Sequence, residues 1–123
     1  MRLENNYFKL LHTQRHGDAT ATFRVALLPD CDVYRGHFPG NPVCPGVCNM
    51  QMIRECAETF LGKSLHQPTV SQCRFVTLMT PAECPEVDIK MEILAITDQT
   101  FTVRATVSDS DNIYMEYKGE MTV

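Results

Sequence analysis

Beyond residue 69 the chain alternates apolar and polar positions with a period of two. In EVDIKMEILAI (86–96), Val87, Ile89, Met91, Ile93 and Ala95 share one face, and Asp88, Lys90 and Glu92 take the other. FTVRATVS repeats the pattern with Phe101, Val103, Ala105 and Val107, and IYMEYKGEMTV with Ile113, Met115, Tyr117 and Met121. The polar turns TDQT and DSDN separate these runs, which predicts an antiparallel meander with one buried face. TVSQCRFVTLM predicts a further strand, ended by Pro81. Upstream, TFRVALL alternates too, and YFKLLHT, joined to it through the turn RHGD, completes a hairpin.

One segment reads differently. From Val47 to Leu61 the apolar residues recur at helical spacing, with Pro45-Gly46 marking the start and Gly62 the end. Met50, Met52, Ile53, Cys56, Ala57, Phe60 and Leu61 fall on one arc, with Asn49 as its polar intruder; Gln51, Arg54, Glu55 and Glu58 fall on the opposite arc, beside Val47 and Cys48. A sheet of about five or six strands needs its apolar face covered, and this is the one long helix available. The predicted architecture is α+β: a curved antiparallel sheet wrapped around one central helix, as a single domain spanning 1–123.

Composition narrows the class. The chain has 123 residues, 44% of them hydrophobic and 21% charged, as in ordinary globular domains, and a second domain would leave neither half a sufficient core. A net charge of −4 argues against nucleic acid as a partner. Arg35, Arg54, Lys63 and Arg74 form either a local basic patch or ordinary solvated surface. The start, MRLENNYFKLL, has no apolar signal core, and no run approaches the roughly 18 apolar residues of a membrane span, so a cytoplasmic location is expected. There the six cysteines should be reduced. Cys44 and Cys48 have no second close pair, so no metal site is expected. Gly62-Lys63-Ser64 is not a phosphate loop, because Ala57 stands where its first glycine should be. His12, His16 and His66 have no motif context and read as surface or strand residues.

The candidate chemistry lies in RGHFPGNPVCPGV (35–47), where prolines and glycines stiffen the chain around His37 just ahead of the helix. A helix N-terminus offers unpaired backbone N–H groups and partial positive charge, here at Gly46 and Val47, where glycine lets another molecule's oxygen come close. Gln51 and Glu55, four residues apart, share one face further in. A base, an oxyanion donor and polar helix groups would then converge. The alternative is a turn histidine flanked by structural glycine and proline.

GHFPGNPVCPGV followed by a helix closely resembles the signature of the hot-dog-fold β-hydroxyacyl-acyl carrier protein dehydratases of type II fatty-acid synthesis. CRFVTLMTPAE is similar to that family's Arg/Lys-Phe strand and its proline-centred turn. The resemblance implies that His37 removes the α-proton of a 3-hydroxyacyl thioester and that the Gly46 N–H polarises the thioester carbonyl. An unperturbed histidine, with a pKa of about 6.5, suits a group that accepts and returns protons near neutrality. At the position of Gln51 the family carries Glu or Asp, which helps the hydroxyl leave as water. An amide cannot do this. Glu55 stands where relatives commonly carry Gln, so the two look exchanged. Glu55 is expected either to supply the carboxylate, with Gln51 holding substrate, or to be a structural or interface charge.

The resemblance further implies a dehydratase (hydro-lyase) of fatty-acid, lipid or polyene synthesis, whose acyl chain rides on the phosphopantetheine of acyl carrier protein. It implies no dissociable cofactor, docking of the acidic carrier on the basic residues named above, and subunits paired as a homodimer or a higher oligomer. His37 of one chain would face the helix of its neighbour. Two rivals remain: a thioesterase on the same fold, with Glu55 central, and a relative that only binds acyl chains.

Overall fold

The computed structural model describes residues 2–35 and 43–123. A hairpin opens the fold, β1 (Phe8–Arg15) and β2 (Thr20–Leu27), followed by a short 3-10 turn at Asp32–Tyr34. Helix α1 runs from Gly46 to Leu61, and β3 (His66–Phe75), β4 (Glu86–Thr97), β5 (Thr100–Ser108) and β6 (Ile113–Thr122) complete it. The strands form one six-stranded sheet in the order β1-β2-β4-β5-β6-β3, with every neighbouring pair antiparallel.

The helix begins and ends where its residues dictate. Pro45 caps it in an extended conformation, φ −67° and ψ 138°, which the pyrrolidine ring favours. Gly62 stops it at φ 68°, a left-handed conformation suited to glycine, and its N–H closes on the Glu58 carbonyl at 2.8 Å. Met52, Ile53, Cys56, Ala57 and Phe60 are buried, as the helical spacing predicts. Phe60 meets Phe23 of β2 edge-on, ring centres 6.3 Å apart, which fastens the helix to the apolar face of the sheet.

The alternation holds along most strands. Val87, Ile89, Met91 and Ile93 are buried with Phe101, Val103, Ala105, Val107, Met115, Tyr117 and Met121. Ala95 and Ile113, expected on the same face, are exposed. In β4 a register shift between Ile93 and Ala95 inserts a residue and ends the alternation, and residues 94–97 are all exposed. A second shift, between Val107 and Ser108, does the same beside Ile113. Strand β3 starts at His66, before the expected Thr69, and stops at Phe75, short of Met79. It lies at one edge of the sheet and is exposed along nearly its whole length.

Gly119 holds β3 to the sheet. A Cβ there would lie 2.7 Å from the Thr69 carbonyl oxygen of β3 and 2.5 Å from the Tyr117 hydroxyl. Backbone cannot retreat as a side-chain tip can, so Gly119→Ala is expected to destabilise the protein by about 1–3 kcal/mol in urea denaturation. An unchanged midpoint would mean that β3 yields freely.

Candidate active site

The start of α1 is chemically open. Pro45 has no side-chain donor or acceptor to cap it, and the Cys48 and Asn49 N–H groups close on the Pro45 carbonyl, both at 3.1 Å. The amides of Gly46 and Val47 precede that first closure, at the positive end of the helix dipole. Val47 is 70% exposed. The missing side chain of Gly46 has a specific occupant: a Cβ would overlap the ring of Phe75. Glycine was expected to admit a ligand oxygen here; in the structure it first admits an aromatic ring from β3. His37 falls within 36–42, outside the described residues.

A cavity of about 270 Å³ adjoins this helix start, lined by Gly46, Cys44, Asn49, Phe75, Leu78 and Tyr114 among others. Its outer wall is apolar, with Phe75 58% and Leu78 68% exposed. The chain after β3 is held against β6 by the Val76 N–H on the Tyr114 carbonyl at 2.9 Å. Two polar residues of the cavity, Asn49 and Tyr114, are tied down. Asn49, buried within the apolar arc, accepts the Tyr7 hydroxyl proton at 2.7 Å. Tyr114 donates to Asp109, whose other oxygen accepts the N–H groups of Asp111 and Asn112, both at 2.9 Å. The Tyr114 bond, aided by those amides, holds Asp109 below the usual carboxylate range. Burial pushes the thiols of Cys44 and Cys48 up, so the helix start carries neutral thiols rather than thiolate nucleophiles.

Of these cavity residues, sequence reasoning singled out Asn49 only as an anomaly of the helix and missed the part taken by Phe75, Leu78 and Tyr114. The Arg74-Phe75 strand carried a hint of Phe75. Tyr114 stood at a polar position of its strand and gave no signal.

The structure brings Gln51 and Glu55 together. Gln51 Nε2 donates to Glu55 Oε2 at 3.0 Å. Glu55 was expected on the polar arc of the helix, yet its side chain is 0% exposed. The N-terminal segment covers it: the Leu3 N–H donates to Oε2 at 2.7 Å and the Glu4 N–H to Oε1 at 2.9 Å. Arg2 adds an ion pair to Glu58 at 2.9 Å, with its Nε 3.8 Å from Glu55 Oε1. No helical wheel registers a cover that comes from 52 residues away along the chain.

The basic residues are partly committed. Arg54 donates to the Leu65 carbonyl at 3.1 Å and pairs with Glu58 at 3.4 Å. Arg35 lies 3.3 Å from Asp32, and Arg74 lies 3.8 Å from Glu116. Lys63 is exposed on the turn after the helix. No helix among the described residues is long and apolar enough to cross a membrane.

A 3-hydroxyacyl-[acyl-carrier-protein] dehydratase FabZ of Lactiplantibacillus plantarum is 28% identical over 83 residues, 62% of this chain and 56% of that protein. The FabZ of Levilactobacillus brevis is 26% identical over 89 residues, 67% of this chain and 59% of that protein. The chain thus spans less than two thirds of the length of these relatives. Among solved structures, the dehydratase heterocomplex ApeI:P from Xenorhabdus doucetiae superposes with a TM-score of 0.73 at 20% identity, over 94% of this chain and 97% of that one. A hypothetical thioesterase with coenzyme A from Streptococcus pneumoniae gives 0.64 at 8% identity, over 94% and 84%. At such identities these structures establish the fold, which is the hot-dog fold. The family described as ApeI-like, ApeI dehydratase, matches residues 13–115, and the chain belongs to the ApeI-like dehydratase family.

Proposed function

We propose that this protein dehydrates a 3-hydroxyacyl thioester. The observation that carries the reading is an uncapped, glycine-led helix start, placed directly after the histidine motif in a chain of a dehydratase family. His37 takes the proton from the carbon next to the thioester carbonyl. The Gly46 N–H stabilises the negative charge that gathers on the carbonyl oxygen. The electron pair then forms the carbon–carbon double bond as the bond from carbon 3 to oxygen breaks. Gln51 holds the leaving hydroxyl by accepting its hydrogen bond, and the protonated His37 returns its proton so that water departs. One imidazole thus serves as base and then acid, which removes the need for a carboxylate at position 51.

The hydrogen bonds of Glu55 fit the structural role better than the catalytic one, because three N–H donors already occupy its two oxygens. The same engagement weighs against the thioesterase reading, in which Glu55 would activate water. Acyl carrier protein is the proposed carrier, docking on the exposed basic residues Arg35, Lys63 and Arg74. A paired subunit is proposed across the β3 edge, where Val70, Phe75, Val76 and Leu78 are exposed. A second copy would bring a second Gln51. A different partner chain, in a heterocomplex such as that of the X. doucetiae dehydratase, would bring residues of its own instead.

Mass spectrometry of a 3-hydroxyacyl-carrier protein tests the reading. Loss of one water is expected, and release of free thiol without an enoyl product would point to hydrolysis. Unchanged substrate, both alone and with a second hot-dog chain, would end the dehydratase proposal.

A further inference from the structure

Asn49 stands on the apolar arc of α1 and is only 3% exposed. Its Oδ1 accepts the Tyr7 hydroxyl proton at 2.7 Å, a separation usual for O–H···O and shorter than most N–H···O bonds. Tyr7 is wholly buried, so turning the amide over would leave its proton without that acceptor. The NH₂ end therefore points away from Tyr7, and no described residue accepts a hydrogen bond from it. Every fully enclosed side-chain nitrogen or oxygen among the described residues has a partner. The unpartnered NH₂ must then reach open space, and the space that Asn49 lines is the cavity at the helix start.

Gly46 lines the same cavity, three residues earlier and so on the same face of the helix. A helical side chain leans toward the N-terminus, which carries the Asn49 amide back over the first turn. Two N–H donors, one from the backbone and one from a side chain, thus border one largely apolar space. No Lys, Arg or His lines it, the Tyr114 hydroxyl donates to Asp109, and Thr77 lies at the exposed rim. A resident anion would find no counter-charge there, whereas a neutral carbonyl oxygen has two lone pairs for two donors. We propose that the Asn49 NH₂ is a second hydrogen-bond donor, beside the Gly46 N–H, to the carbonyl oxygen of a bound acyl thioester. This rests on the dehydratase reading above, in which negative charge gathers on that oxygen as the α-proton leaves. A donor held in place before the reaction strengthens its bond as the charge grows and has little reorganising to do. Asn49 is then a catalytic residue, and Tyr7, through the bond to Oδ1, is its positioning residue.

The test uses the full chain with asparagine side chains labelled for NMR. Its ligands are butyryl-pantetheine and the thioether S-butyl-pantetheine, which lacks the carbonyl. In the wild type the thioester should move the Asn49 NH₂ resonance downfield, and its own C=O stretching frequency should fall on binding; the thioether should leave the NH₂ resonance in place. Asn49→Asp keeps an oxygen for Tyr7 and removes the donor. It should lose part of the infrared shift and lower kcat for hydration of crotonyl-pantetheine by about 10²–10³-fold, while KM changes far less. Tyr7→Phe, which frees the amide to turn, should lower kcat by roughly tenfold. Equal NH₂ responses to thioester and thioether overturn the proposal in the wild type alone, as does full kcat in a folded Asn49→Asp variant. A thioester-specific response without any hydration of crotonyl-pantetheine supports the carbonyl contact and refutes the dehydratase reading beneath it.

Discussion

Alanine at position 37 is expected to slow dehydration of a 3-hydroxyacyl thioester by about 10²–10⁴-fold while leaving the melting temperature close to that of the wild type. In the proposed reaction this imidazole moves the proton twice, off the α-carbon and onto the departing hydroxyl. No second group among the described residues of the helix start is placed to share the work. Burial holds the Cys44 and Cys48 thiols neutral, and the Glu55 carboxylate is engaged by three N–H donors. In a dehydratase with a separate acid, losing the base leaves the other half of the catalysis standing. Here both halves should fall together, so the forward dehydration and the reverse hydration of a crotonyl thioester should lose rate by the same factor. Retention of more than about a tenth of the wild-type rate in either direction would refute the single-imidazole mechanism.

The largest effect on stability is expected at Glu55. Glu55→Ala removes the acceptor for two backbone N–H groups, Leu3 at 2.7 Å and Glu4 at 2.9 Å, and leaves Gln51 without its partner carboxylate. Each buried donor left unpaired costs about 1–3 kcal/mol, partly offset because a buried carboxylate no longer has to be held away from water. A net loss of roughly 2–4 kcal/mol is expected in urea denaturation. Arg2 provides the contrast. It pairs with Glu58 at 2.9 Å, but its side chain is 56% exposed, and Arg2→Ala should cost less than about 1 kcal/mol. Equal effects of the two substitutions would mean that the N-terminal segment is held by surface charge and not by the buried carboxylate.

The contrast between these two residues marks how far the chain can be read without coordinates. The period-two runs from Val87 to Met121 and the helix-spaced residues from Met52 to Phe60 reported their faces correctly, because burial on one side of a strand or helix leaves its imprint in local order. The family resemblance carried by residues 36–47 pointed to the hot-dog fold and to a dehydratase family, and the solved structures and the family match over 13–115 agree with it. The same local logic failed at Glu55. A carboxylate on the polar side of a helix reads as solvated unless donors from elsewhere come to meet it, and here they come from the first four residues of the chain. It failed again at Ala95 and Ile113, where shifts in register interrupt the alternation.

By itself, then, the sequence determined the helix between Pro45 and Gly62, the alternating strands and the pattern that identifies the family, all of them properties of neighbours along the chain. Only the tertiary structure decided that Phe75 lies over Gly46, that β3 forms an exposed edge, and that Glu55 is enclosed and accepts a hydrogen bond from the amide of Gln51. Those contacts join segments far apart in the chain, and a hydrogen bond's direction depends on which donors reach the same acceptor, which residue order alone does not encode.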